Sequence, residues 1–135
     1  MIREHAPRSH ALLLVGEDGV VLARRVEDGS VWYQAPGVAV QEGETPGRAA
    51  ARAAREQLGV DVEVGDLVYA DTELGLEHYF FAVLLPEGVD TDALTAQADR
   101  ELVVLRRAAL LAYRVEPAPI ARLLLRRRDS VVTDW

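Results

Sequence analysis

Pro36-Gly-Val-Ala-Val-Gln-Glu-Gly-Glu-Thr-Pro-Gly-Arg-Ala-Ala-Ala-Arg-Ala-Ala-Arg-Glu-Gln-Leu-Gly-Val60 changes character at Thr45. Before it lies a loop with Pro36-Gly37 and Gly43; after it comes an alanine-rich run with no β-branched residue before Gly59. A Thr side chain can accept from the first free helix N–H groups, Pro fits the first turn, and Gly tolerates the left-handed geometry just past a helix end. The spacing therefore predicts a helix over Thr45 to Leu58, about three to four turns long. At 3.6 residues per turn, positions 53, 56 and 57 share one face and Ala51, Ala54 and Leu58 another. The apolar face is expected to pack on a sheet, and the other to line a site.

Upstream, Ala11-Leu-Leu-Leu-Val15 is an apolar run bounded by Gly16-Glu-Asp-Gly19, and Val20-Val-Leu-Ala23 resumes it, which reads as a hairpin centred on Asp18-Gly19. A second turn signal, Glu27-Asp-Gly-Ser30, precedes Val31-Trp-Tyr-Gln34, a strand that Pro36-Gly37 ends. Downstream, Val60 to Tyr69, Glu77 to Leu85 and Leu102 to Leu105 read as strands. Arg107 to Tyr113 then leads to a last helix from about Pro119 to Arg128. The order is strands, helix, strands, helix, without repeat or linker. It predicts an α/β (α+β) domain with a mixed sheet between helices.

The 135 residues suit a single domain spanning 1–135 and one substantial core. Half of them are apolar and 27% are charged, as in globular proteins and unlike disordered chains. No apolar run approaches the roughly 20 residues of a membrane span, and Met1 to His10 carries charge where a signal peptide needs an apolar stretch. The expected location is the cytoplasm, with no membrane partner. The absence of cysteine excludes disulfides, thiolate catalysis and zinc-thiolate sites. All fifteen basic residues are arginine, so lysine chemistry is excluded too. A net charge of −7 argues against polymeric nucleic acid, whose backbone is held by an excess of positive charge. Arg126-Arg127-Arg128 reads as the polar end of the last helix, favoured by its dipole.

The opening stretch resembles the Nudix box, a loop-helix-loop motif. Its pattern is Gly, five residues, Glu, seven residues, Arg-Glu, an aliphatic residue, any residue, Glu-Glu, any residue, Gly and an aliphatic residue. Residues 38–60 carry it, with Glu44, Arg52, Glu56, Gly59 and Val60 at their family positions and Ala54 at the first aliphatic one. Val38 stands for the first glycine, Ala53 for the glutamate after the arginine, and Gln57 for the second glutamate of the pair.

The resemblance implies a Nudix fold and a site in which helix carboxylates, with the backbone carbonyl matching Gly37, hold magnesium against a diphosphate. It places Glu56, Arg52 and Glu44 in the catalytic role, Arg52 orienting the acids, and Gly37, Glu56 and an acid from a later loop on the metal. By sequence order Glu77 or Glu101 can supply that acid, and a surface position is the plain reading of each. Alanine offers no ligand and glutamine only a neutral oxygen, so weak or absent Mg2+ binding is expected at this helix. Trp32, Tyr33 and Tyr79 are candidates to stack a base or flank a sugar, with core or cross-strand packing as the alternative. His5, His10 and His78 are too scattered in sequence to suggest a metal pair.

Three functions are compatible with these residues. The first is a Nudix-fold protein that binds a nucleotide or another phosphorylated small molecule with little or no hydrolysis. The second is a magnesium-dependent hydrolase of nucleoside-diphosphate-linked compounds, using replacement acids. The third is a structural subunit or homodimer that keeps the box for folding alone.

Overall fold

The structure is a computed structural model and describes residues 6–15, 19–73, 75–86 and 102–126. Strand β1 (Arg8–Val15) runs into β2 (Gly19–Glu27), β3 (Ser30–Gln34) and the short β4 (Gly37–Ala39). Helix α1 (Pro46–Leu58) follows, then β5 (Glu63–Glu73), β6 (Leu76–Leu84), β7 (Leu102–Arg106), a 3-10 helix (Arg107–Ala112), β8 (Val115–Glu116) and helix α2 (Ala118–Arg126). The strands form one mixed sheet in the order β5-β6-β1-β2-β3-β8, with β4 added to β1 and β7 to β2. Pairings β1–β6 and β3–β8 are parallel, and the others are antiparallel.

Strand β1 is the centre because it is apolar on both faces, the pattern of a strand covered on two sides. Ala11, Leu13 and Val15 point to one face, where Val21, Ala23 and Val83 join Ala54 and Leu58 of α1. Leu12 points to the other, with Val20, Leu22 and Phe80 packed on Leu110, Ile120, Ala121 and Leu124. Alternation along a strand thus divides one run of aliphatic residues between two cores, and the sheet lies between α1 and α2 as expected.

The local signals hold. The Thr45 hydroxyl accepts from the Arg48 N–H at 3.2 Å, Pro46 opens α1, and Gly59 closes it at φ 72°, its N–H donating to the Arg55 carbonyl at 3.1 Å. Asp28 and Gly29 take φ of 51° and 81° between paired Glu27 and Ser30, the two left-handed residues of a tight hairpin. Val15 pairs with Gly19, as the first hairpin requires, while Asp18 lies outside the described residues. The strand expected from Val60 begins only at Glu63, because Val60 and Val62 are spent against the α1 core. Helix α2 starts at Ala118; Arg127 and Arg128 lie outside the described residues.

The packing face of α1 needs a correction. Ala49, Ala50, Ala53, Ala54 and Leu58 are buried, and Ala51 is only half-buried. The face is wider than expected and turned toward position 53, because the helix contacts β4 as well as the sheet beneath it. Leu58 is 2% exposed at its centre. Leu58→Ala is expected to cost about 2 to 5 kcal/mol in urea unfolding, as large-to-small core changes do. A loss within about 0.5 kcal/mol, the range of exposed substitutions, would refute this packing.

Candidate functional site

Arg52 organises the loop before α1. Its Nε and Nη2 donate to the two carboxylate oxygens of Glu44 at 3.0 and 3.1 Å, Nη1 donates to Glu56 Oε2 at 3.1 Å, and Nη2 also donates to the Ala39 carbonyl at 2.7 Å. Glu44 is not a solvated loop acid. Its side chain is 14% exposed, and its Oε1 also receives the Gln41 N–H at 2.9 Å. The Arg52 guanidinium holds the Glu44 carboxyl below its usual range, and Gln41 adds to the effect. The same two acids push the Arg52 pKa up. Glu44, Arg52 and Glu56 therefore come together as expected. The Glu56 side chain is 53% exposed, so its second oxygen faces water or a ligand.

The other two helix positions behave differently. Ala53 is fully buried, packed with Ala49, Val38 and Val40, so positions 53, 56 and 57 do not share one solvated face as expected. Helical angle alone cannot reveal that β4 covers the helix at this point. The residues at the first glycine position and at the glutamate position after the arginine thus share one buried cluster. Ser9, which pairs with Val38 across β1 and β4, is also buried, and its hydroxyl has no partner among the described residues. Gln57 donates through Nε2 to the Gly37 carbonyl at 2.7 Å, and Arg8 Nη2 donates to the same oxygen at 3.2 Å. Burial lowers the Arg8 pKa, and the Arg25 guanidinium lowers it further.

On the α2 side of the sheet, the parallel pairing of β1 with β6 sets Arg8 against His78 and His10 against Phe80. This joins two histidines that sequence spacing separates: His10 Nε2 and His78 Nδ1 are 3.1 Å apart. His10 is 8% exposed, stacks on Phe80 at 4.3 Å between centroids, and sets Nδ1 3.3 Å from the Ala35 carbonyl. Burial pushes its pKa from 6.5 to about 4, against the Ala35 hydrogen bond, which favours charge; His78 and Arg8 add to the lowering. A cleft of about 90 Å³ opens here, lined by His10, Gln34, Asp71, His78, Phe80, Glu116 and Pro117. The apolar alternation of β1 and β6 was the only sequence signal for this pairing.

The candidate aromatics do not gather around that cleft. Trp32 lies under Arg114, whose guanidinium carbon is 5.2 Å from the ring centroid. Tyr33 meets Tyr113 edge-on at 5.3 Å and packs on the α2 core. Tyr79 donates its hydroxyl to exposed Glu77 at 2.6 Å. Glu101 lies outside the described residues. Among the described residues no three His, Asp or Glu side chains are grouped so that they could hold a metal ion, and no helix is long and apolar enough to cross a membrane.

A family model of the NUDIX domain matches residues 5–129. Among solved structures, the chain is similar to the E. coli ORF135 protein at 22% identity. That match covers 92% of this chain and 91% of the other, with a TM-score of 0.69. It is similar at 16% identity to a MutT structure from a study of the Aliivibrio salmonicida and Vibrio cholerae proteins, covering 90% of this chain and 98% of the other, with a TM-score of 0.73. At these identities the likeness to solved structures shows the fold alone. No curated protein matches the chain.

Two outcomes follow from this geometry. Ala53→Glu should destabilise by about 3 kcal/mol or more, since it forces a carboxylate into a filled apolar site, and adding Val38→Gly should recover part of the loss. Equal unfolding midpoints for wild type and Ala53→Glu would contradict the packing of Val38 on Ala53. The second outcome concerns pH. The unfolded His10 ring gains its proton near pH 6.5 and the folded ring near 4, so the contribution of neutral His10 is complete above about pH 6.5. It falls away as pH drops toward 4, by up to about 3 kcal/mol. Urea titrations between these limits should show a steeper loss for wild type than for His10→Gln; parallel curves would overturn the assignment.

Proposed function

The chain belongs to the Nudix family, and from that premise we propose that it binds a nucleotide or another phosphorylated small molecule with little or no metal-dependent hydrolysis. The observation that carries the reading is the state of the Gly37 carbonyl, the oxygen that the box resemblance assigns to the metal. It already accepts from the Gln57 amide and the Arg8 guanidinium. A divalent cation needs bare, hard oxygen donors, preferably charged. Here both groups aimed at the oxygen are donors, one of them is a cation, and position 53 holds a buried methyl group. These residues do not fit a magnesium ion at this helix. Glu56 alone cannot balance one.

The reading of an anionic ligand is supported by the same feature. Burial, and after it the Arg25 guanidinium, disfavours the charge on Arg8, and a phosphate group beside Arg8 would relieve that cost. Guanidinium groups thereby take over charge neutralisation that elsewhere falls to a metal. The intact Glu44, Arg52 and Glu56 cluster favours the alternative of a working hydrolase, with Glu77 or Glu101 as a replacement acid. A homodimeric structural subunit is the third reading, and it predicts no small-molecule response.

Thermal unfolding of the full chain against a set of nucleotides and nucleotide sugars distinguishes these readings. Binding raises the midpoint by mass action whether or not turnover follows. We expect a ligand-dependent rise of equal size in chelator and in magnesium, no release of phosphate or pyrophosphate, and weak magnesium binding by calorimetry. A tight, stoichiometric magnesium site lost on Glu56→Gln, with cleavage that chelator abolishes, would replace this reading by the hydrolase.

A further inference from the structure

We propose that the His10–His78 cleft selects a flat heterocycle by its amidine-type edge, an exocyclic amino group beside a ring nitrogen, over the oxo counterpart. The inference rests on the nucleotide reading above and assigns the part of the ligand that the phosphate contacts leave open.

The argument follows the protons. His10 is buried, stacks on Phe80 and sets Nδ1 on a carbonyl, and at the pH 8 of the test below an uncharged imidazole carries one N–H. The Ala35 carbonyl can only accept, which fixes that hydrogen on His10 Nδ1. His10 Nε2 is then a lone pair, and His78 Nδ1, 3.1 Å away, must donate to it. An uncharged His78 has no second hydrogen. Its Nε2 is an acceptor on a ring that lines the cleft. A backbone carbonyl buried behind His10 thus sets the polarity of an atom two rings away.

The neighbouring groups complete the pattern. Asp71 opposes His78 across β5 and β6; its carboxylate takes the Thr72 N–H at 2.7 Å and the Tyr69 hydroxyl, and is an acceptor only. Glu116 offers a carboxylate shared with Arg114 Nε at 2.9 Å. With its amide assigned so that the oxygen accepts from the Arg25 guanidinium, at 2.9 and 3.3 Å, Gln34 keeps its NH2 group as the donor among the cleft's uncharged side chains. Acceptors beside one donor match an amino group next to an unprotonated ring nitrogen, as in cytosine or adenine. Uracil and hypoxanthine present a carbonyl next to a single N–H, so even with the carbonyl on Gln34 they offer one N–H to several acceptors where the amino edge offers two, and an acceptor is left unpaired. Phe80 supplies a flat wall and Pro117 also lines the space. At about 90 Å³ the cleft is smaller than the roughly 150 Å³ that encloses a benzene ring, so it takes the edge of one ring and leaves the remainder outside.

The test is calorimetric titration of the full chain at pH 8 in chelator with two matched pairs, cytidine against uridine monophosphate and adenosine against inosine monophosphate. We expect the amino member of each pair to bind at least tenfold tighter. His78→Phe, and separately the exposed substitution Asp71→Asn, should each reduce that preference to under threefold while the oxo members change little. Nitrogen-15 imidazole spectra of the unliganded protein should show both rings as Nδ1–H tautomers. Equal binding of amino and oxo members, or a His10 or His78 ring protonated on Nε2 instead, overturns the proposal while the nucleotide reading stands. Silence from all four nucleotides removes that reading and this inference with it.

Discussion

A side chain at position 37 would set its Cβ 2.2 Å from His10 Nδ1, and this single steric limit holds the two halves of the site together. Because Gly37 is bare, the His10 ring lies flat against the backbone of β4 and reaches the Ala35 carbonyl. The other side of the same peptide unit serves α1, since the Gly37 carbonyl receives Gln57 as well as Arg8 from β1. A larger residue would have to displace a buried ring, and with it the hydrogen bond that fixes the polarity of His78. Close approach is the reason for glycine here.

The charged groups follow from that frame. Arg52 sits one turn before Glu56, which suits an ion pair on a helix surface, yet its larger role is tertiary. It joins the Glu44 loop, the end of β4 at Ala39 and the helix, and so holds the backbone of the box in place. An exposed ion pair contributes little to stability, whereas this one is largely screened from water at Glu44 and shares its donors among three acceptors. The loop keeps its shape through a guanidinium, with no need for a cation bridging its acids.

The extent to which sequence disclosed this molecule tracks the range of the interactions. Helix α1, its Thr45 cap, Pro46 and the Gly59 terminus were readable because each depends on residues within one turn. The Glu27–Ser30 turn was readable for the same reason. The box gave Glu44, Arg52 and Glu56 together, since motif spacing encodes a local geometry. The His10–His78 contact was not readable. It joins positions 68 residues apart through a parallel pairing that leaves no turn signature. Ala53 was misplaced because helical periodicity gives relative angles but not where a neighbouring strand covers the helix. Trp32, Tyr33 and Tyr79 could be read by residue type as ligand contacts or as packing residues, and within the fold they meet Arg114, Tyr113 and Glu77.

The three departures from the box pattern form two coupled pairs, and this bears on how the site can work. Val38 and Ala53 share one buried cluster, so a valine lies among small residues and enlarging Ala53 or trimming Val38 alone makes a clash or a void. Gln57 and the Gly37 carbonyl form the second pair, in which a glutamate would face an oxygen with no proton to offer it. Each pair is self-consistent in its packing or hydrogen bonding. A site that had merely lost its ligands would leave unpaired acids and bare carbonyls behind. In this one the Gly37 carbonyl is satisfied by two donors and the Glu44 carboxylate is neutralised by Arg52, while the Ser9 hydroxyl has no partner among the described residues. Glu56 keeps a half-exposed carboxylate, and Arg8, its charge disfavoured by burial and by Arg25, is engaged with the same carbonyl as Gln57. The departures from the box pattern thus reorganise the contacts between loop, strand and helix together, leaving the backbone groups they touch satisfied.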